Sequence, residues 1–127
     1  MDQLLEAALG ARQLAHAPYS HFKVGAALED SEGRIHTGCN VENSTYGLTI
    51  CAERVAVFKA MSEGVRQFRR IAVAADTETL TPPCGACRQI LWEFCGDIFV
   101  TLVNPRGASE TLRMKDLFPR AFDASFL

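Results

Sequence analysis

Three stretches decide the fold: Ile71-Ala72-Val73-Ala74-Ala75, Thr81-Pro82-Pro83-Cys84-Gly85-Ala86-Cys87, and the run from Ile98 to Val103. The first and last are short, almost continuous apolar runs, the pattern of strands covered on both faces. Thr81-Pro82-Pro83 can continue neither a strand nor a helix. A helix begins near Cys84 or Gly85 and runs to Cys95, with Gly96 just beyond it. Upstream, Ala52, Val55, Ala56, Phe58 and Lys59 lie across the faces of a helix predicted over Cys51 to Glu63, stopped by Gly64. Phe22, Val24, Ala26 and Leu28 alternate as a strand with one packed face. Glu29 to Gly33 supply turn chemistry before a short strand at Ile35 to Thr37, so this pair reads as a hairpin. Leu4, Leu5, Ala8, Leu9 and Ala15 recur at helical spacing, with Asp2 as N-cap and Pro18 as the stop. Downstream, Asn104 to Gly107 turn the chain into a weaker strand around Thr111, and Met114 to Phe118 add a short helix. The order of elements describes an α/β fold, a mixed sheet with helices on its faces.

The 127 residues match one domain, 1–127, and 48% hydrophobic content excludes a disordered or low-complexity chain. A formal charge of −2 gives no general attraction to nucleic-acid phosphates, and Arg66, Arg69 and Arg70 read as a solvated rim before a strand. No apolar run reaches the roughly 18 residues of a membrane span. The first residues carry two acids where a signal peptide has a basic region, so a cytoplasmic location is expected. Five cysteines, an odd number, then point to metal or catalytic use rather than a disulfide framework.

Cys84-Gly85-Ala86-Cys87 is a Cys-x-x-Cys pair behind Pro83, a spacing shared by redox motifs and zinc knuckles. Cys51 opens the preceding helix within Cys51-Ala52-Glu53-Arg54. One sulfur from one helix start and two from another make three thiolates, the number of protein ligands in a catalytic zinc site. Helix N-termini favour such anions, because their unpaired N–H groups carry partial positive charge. Glu53 distinguishes two uses of the cluster. A structural zinc takes four protein ligands, with Cys39 or Cys95 as the fourth and Glu53 and Arg54 as surface charges. A catalytic zinc keeps its fourth position for water, whose proton an adjacent carboxylate accepts. Three thiolates on Zn2+ leave one net negative charge, and Arg54 donating to the sulfurs would draw that charge off and restore acidity. Outside the trio, Cys39 and Cys95 read as plain buried small residues, and His16, His21 and His36 as structural or exposed.

Cys51-Ala52-Glu53 followed by Pro83-Cys84-Gly85-Ala86-Cys87 is the zinc-deaminase signature in the version where cysteine replaces the first histidine. Pro18-Tyr19-Ser20-His21-Phe22-Lys23-Val24-Gly25-Ala26-Ala27, Gly38-Cys39-Asn40-Val41-Glu42-Asn43 and Cys84-Gly85-Ala86-Cys87-Arg88-Gln89 complete the pattern. From about Ala11 to Phe122 the chain resembles the small homotetrameric cytidine deaminases. That resemblance implies a cytidine-deaminase-like three-layer α/β sandwich, a mixed β-sheet with helices on both faces. It implies one Zn2+ per subunit on Cys51, Cys84 and Cys87, with Glu53 as the catalytic proton shuttle. Asn40 and Glu42 would bind the ribose, Phe22 would pack on the pyrimidine, Ala52 would join the substrate contacts, and Tyr46 would border a shared active site. Phe122, in Pro119-Arg120-Ala121-Phe122, would stack on the base from a neighbouring subunit, with Phe126 as the other candidate.

The implied reaction is hydrolytic deamination of cytidine and 2′-deoxycytidine in pyrimidine salvage. The implied partners are free pyrimidine nucleosides and further copies of the chain, with no nucleic acid and no membrane. A carboxylate at Glu42 repels phosphate, which favours nucleosides over nucleotides. On the residues alone, each substrate contact has a plainer reading: Phe22 as strand core, Asn40 and Glu42 as turn and solvated residues, Tyr46 as a loop aromatic, Phe122 as a C-terminal anchor. Two rival functions share the motifs: a deaminase of another aminopyrimidine nucleoside such as blasticidin S, and a non-catalytic zinc-stabilised module with four protein sulfurs.

Overall fold

Strands β1 (Val24–Asp30), β2 (Ile35–Cys39), β3 (Phe68–Ala75), β4 (Phe99–Val103) and β5 (Ser109–Arg113) form one sheet in the computed structural model, which describes residues 1–127. Their order is β2-β1-β3-β4-β5. Only β3 and β4 pair in parallel; the other three pairings are antiparallel. Strands β2, β3 and β4 therefore all run the same way. Helix α2 (Ala52–Ser62) follows β2 and helix α3 (Gly85–Cys95) follows β3, so both helices begin at the same end of the sheet. That end is where ligands of open α/β sheets gather.

The side chains of β1 and β3 alternate between two cores, as the period of two requires. Ala27, Ala72 and Ala74, with Val103 of β4, meet Leu4, Leu5 and Ala8 of helix α1 (Gln3–Arg12). Ala26, Leu28, Ile71 and Val73 meet Ala52, Ala56, Val57 and Ala60 of α2 and Leu91 of α3. Met114, from the short helix α4 (Met114–Leu117), joins this second core. Each large aliphatic side chain buried in either core contributes about 1.5–3 kcal/mol. The result is the expected three-layer arrangement, with helices on both faces of a mixed sheet.

Two motif glycines let the helices lie this close. A Cβ on Gly25 would sit 2.1 Å from the Ala8 carbonyl oxygen and 2.4 Å from the Arg12 nitrogen of α1. A Cβ on Gly38 would sit 2.5 Å from the Ala52 carbonyl oxygen and 2.6 Å from the Ala56 nitrogen of α2. Both are backbone contacts that no side-chain movement relieves.

The predicted hairpin, the Asp2 cap (Leu4 N–H donates to Asp2 Oδ1 at 2.8 Å) and the six later elements form, with ends shifted by up to a few residues. Four details differ. Helix α1 ends at Arg12, before Ala15, and Leu14 just beyond it is 78% exposed, with no core contact to extend the helix. Strand β1 starts at Val24, leaving Phe22 outside it. Gly25 to Leu28 are all buried, so β1 is packed on both faces rather than one. Strand β3 starts at Phe68 and takes in Arg69 and Arg70, and Arg70 is no solvated rim residue: it pairs with Asp2 at 2.5 Å and Glu29 at 3.2 Å.

Candidate functional site

Cys51 is the N-cap of α2, and Cys84 the N-cap of α3; neither side chain caps its helix. Both sulfurs are instead turned to one another, 3.9 Å apart. Cys87, one turn into α3 and buried, brings a third sulfur, and all three lie within 4.8 Å of one another. A tetrahedral zinc with Zn–S bonds of about 2.3 Å separates its sulfurs by about 3.8 Å, so the trio fits that ion, and thiolates are soft donors suited to it. No fourth Cys, His or carboxylate joins the cluster. Cys39 and Cys95 lie half-buried elsewhere, and burial pushes the Cys95 thiol up to about 12.

Charge around the sulfurs is polarised. The Cys51 thiol is lowered to about 5 by a hydrogen bond from Cys87 first, with Arg54 adding to it against the opposing effect of burial. Cys87, the donor, is shifted strongly upward. Arg54 Nη2 donates to Cys51 Sγ at 3.4 Å, the contact expected of a residue that draws charge from the cluster. Glu53 sits in the first turn of α2 and is only 4% exposed. Burial first, with the neighbouring Cys51 charge adding to it, pushes its carboxyl up to about 7.

A cavity of about 180 Å³ is lined by Phe22, Asn40, Cys51, Ala52, Glu53 and Cys84, so six of the expected site residues share one space. Asn40 is 8% exposed and holds the chain entering β1: its Oδ1 accepts from Val24 N–H at 2.9 Å, and its Nδ2 donates to the Phe22 carbonyl at 2.7 Å. Glu42 and Tyr46 line a separate hollow of about 340 Å³ with Tyr19 and Ser20. Thr49 lines both spaces. Glu42 is held below the usual carboxylate range by the Ser20 hydroxyl and the Ser20 and Tyr19 N–H groups. Phe122 lines neither space; it is 59% exposed and stacks on Phe126 with ring centres 5.7 Å apart.

Thr49, Thr81, Pro82, Val24 and Val73 also line the cavity and were not singled out as site residues in the sequence. For Thr81 and Pro82 a signal was present: a rigid Thr-Pro-Pro stretch directly before a ligand cysteine. For Thr49 there was none, since its place depends on the pairing of Val41 with Ile50.

Three sulfurs without a fourth protein ligand, next to a buried acid of raised pKa, define a zinc hydrolase type of centre rather than a structural knuckle. The family model of the cytidine and deoxycytidylate deaminase zinc-binding region matches residues 1–102. A cytidine deaminase of Sporosarcina psychrophila is 50% identical over 123 residues, which cover 96% of this chain and 90% of the relative. A probable cytidine deaminase of Dictyostelium discoideum is likewise 50% identical over 123 residues, covering 96% and 83%. The crystal structure of cytidine deaminase from Burkholderia pseudomallei superposes with a TM-score of 0.92 at 47% identity, covering 96% of this chain and 100% of that one. The chain belongs to the cytidine and deoxycytidylate deaminase family.

Proposed function

We propose that the protein deaminates cytidine and 2′-deoxycytidine hydrolytically, giving uridine and 2′-deoxyuridine and releasing ammonia. The carrying observation is Glu53, a carboxyl buried to 4% exposure and raised to about 7, on the helix that begins at one ligand sulfur and beside the other two. Zn2+ held by Cys51, Cys84 and Cys87, one ion per subunit, would supply a water acidified from about 15.7 towards about 7.

Glu53 takes one proton from the attacking water and passes it to ring N3, which makes C4 electrophilic. As the C–O bond forms, C4 becomes tetrahedral. Glu53 then carries the proton of the new C4 hydroxyl to the exocyclic amine, the C4–N bond breaks as the C4 carbonyl forms, and ammonia leaves. A group that acts as base and then as acid works best with a pKa near the working pH, and burial brings Glu53 there. Arg54 donates to Cys51 and would draw off part of the charge that three thiolates bring to a bound Zn2+. Phe22 packs on the pyrimidine in the cavity beside Ala52, and Asn40 and Glu42 receive the ribose.

The ionised Glu42 disfavours a 5′-phosphate, and the net charge of −2 gives no pull on polynucleotides, so free nucleosides are the substrates. We further propose a homotetramer of single-domain subunits working in cytoplasmic pyrimidine salvage. Exposed Tyr46 and Phe122 support shared active sites, with Phe122 or its stacking partner Phe126 closing a neighbouring pocket. No helix is long and apolar enough to cross a membrane.

The test is conversion of cytidine to uridine, followed by ultraviolet absorbance, before and after chelation and zinc restoration. Turnover that disappears with the metal and returns with it is expected. Zinc-loaded protein that leaves both cytidine and 2′-deoxycytidine unchanged overturns the reading.

A further inference from the structure

Between the end of α1 and the start of β1, the chain is fastened to residues 40–42. The His16 N–H donates to the Asn40 carbonyl at 3.0 Å, and the Glu42 N–H to the His16 carbonyl at 2.8 Å. Glu42 Oε1 accepts from Tyr19 N–H at 2.9 Å and Ser20 N–H at 3.1 Å, and Ser20 Oγ donates to Glu42 Oε2. The same Ser20 oxygen accepts from Phe22 N–H at 3.0 Å. Between these two residues His21 sits at φ 60°, in the left-handed region. A residue with a Cβ seldom stays there unless its surroundings hold it. The Ser20 hydroxyl spans that residue and ties the carboxylate on one side to the amide on the other.

We propose that Ser20 is a positioning residue, whose hydroxyl couples the Glu42 carboxylate to the Phe22 backbone and so sets the Phe22 ring in the cavity before substrate arrives. The proposal rests on the function proposed above, in which Phe22 meets the base and Glu42 the ribose. A hydroxyl has one proton and two acceptor sites. Its proton goes to an ionised carboxylate, the stronger kind of hydrogen bond, which leaves its oxygen for the Phe22 amide. Removing the hydroxyl leaves that amide without its partner and costs Glu42 one of three donors. The backbone bonds from Tyr19 and residue 20 persist, so the turn keeps its path. Neither Glu53 nor the sulfurs touch Ser20, so the loss falls on binding, through lost preorganisation, and not on the proton transfers.

The experiment compares Ser20→Ala and Ser20→Thr with the zinc-loaded wild type, in steady-state cytidine kinetics and in hydrogen exchange of the Phe22 amide without substrate. Ser20→Ala should raise KM about tenfold, the scale of one lost hydrogen bond, while kcat falls far less. Ser20→Thr, which keeps the hydroxyl, should restore most of KM. In a Phe22→Ala background the Ser20→Ala effect should shrink to less than about twofold, because the two residues act as one unit. Phe22 amide exchange should be slow in wild type and Ser20→Thr and fast in Ser20→Ala. A loss in kcat at unchanged KM, or additive effects of the two alanine substitutions, overturns the positioning role. Equal amide protection with and without the hydroxyl overturns it too, and that result does not depend on cytidine being the substrate. Wild-type protein inert towards cytidine removes the proposed function instead, and the exchange measurement still decides whether Ser20 holds Phe22.

Discussion

Helix α1 covers one face of the sheet, and α2 with α3 covers the other. Both faces rely on a glycine in the strand beneath, Gly25 under α1 and Gly38 under α2. Their helix starts differ. Asp2 caps α1 by accepting from Leu4 N–H and pairs with Arg70. Cys51 and Cys84, the N-caps of α2 and α3, make no capping bond and aim their sulfurs at each other. A good side-chain cap is worth about 1 kcal/mol, so each helix of the second face gives up stabilisation that α1 keeps. Glu53 extends the pattern, as a carboxyl carried into the interior. One face starts its helix on a side-chain cap, and the other starts its helices on cysteines and carries a buried acid.

The largest expected effect breaks the chemical face alone. Glu53→Gln should retain the fold and the zinc, read by circular dichroism and metal content, while turnover falls about 10²–10⁴-fold. Near-normal turnover would remove Glu53 from the proton transfers.

The paired glycines give a second, smaller contrast. Gly25→Ala and Gly38→Ala each force a methyl against helix backbone and should destabilise the protein by about 1–3 kcal/mol. Only Gly38→Ala pushes on Ala52, next to Cys51, so it alone should release zinc at a chelator concentration that wild type and Gly25→Ala withstand. Equal zinc retention in the two variants would mean that the faces are not separable in this way.

Asp2→Ala should have the smallest effect, about 1 kcal/mol at neutral pH from the lost cap, with zinc retention and KM unchanged. Arg70, and then the Leu4 amide, hold the Asp2 carboxyl below its ordinary 3.8. Its stabilising contribution is present above that value and fades as the pH falls through the lowered folded-state pKa. Thermal unfolding of wild type and variant should therefore converge in acid. A gap that widens on acidification would contradict the assigned role of the ionised Asp2.

What could be read in the sequence follows the same division. The sulfur trio was legible because each cysteine sits at a helix start that local signals announce, and the three-layer fold followed from apolar runs and breakers. The end of α1 was not legible: apolar spacing continues to Ala15, but only packing on the sheet decides where the helix stops. Phe22 continued the strand alternation, and nothing local said that the Asn40 amide would take its carbonyl and the Val24 N–H. Arg70 looked like one of three surface arginines because its partner Asp2 lies 68 residues away in the chain. Glu42 and Asn40 were marked by resemblance, and their grip on the turn around Phe22 needed three dimensions.

Strand β3 lies between β1 and β4, and its parallel neighbour can dock only after α3 has looped back over the sheet. Cys51 and Cys84 are 33 positions apart, on either side of that strand, yet their sulfurs lie 3.9 Å from one another. The sheet thus brings the sulfur trio together from distant parts of the chain, unlike small zinc fingers, in which the ion organises an otherwise shapeless peptide.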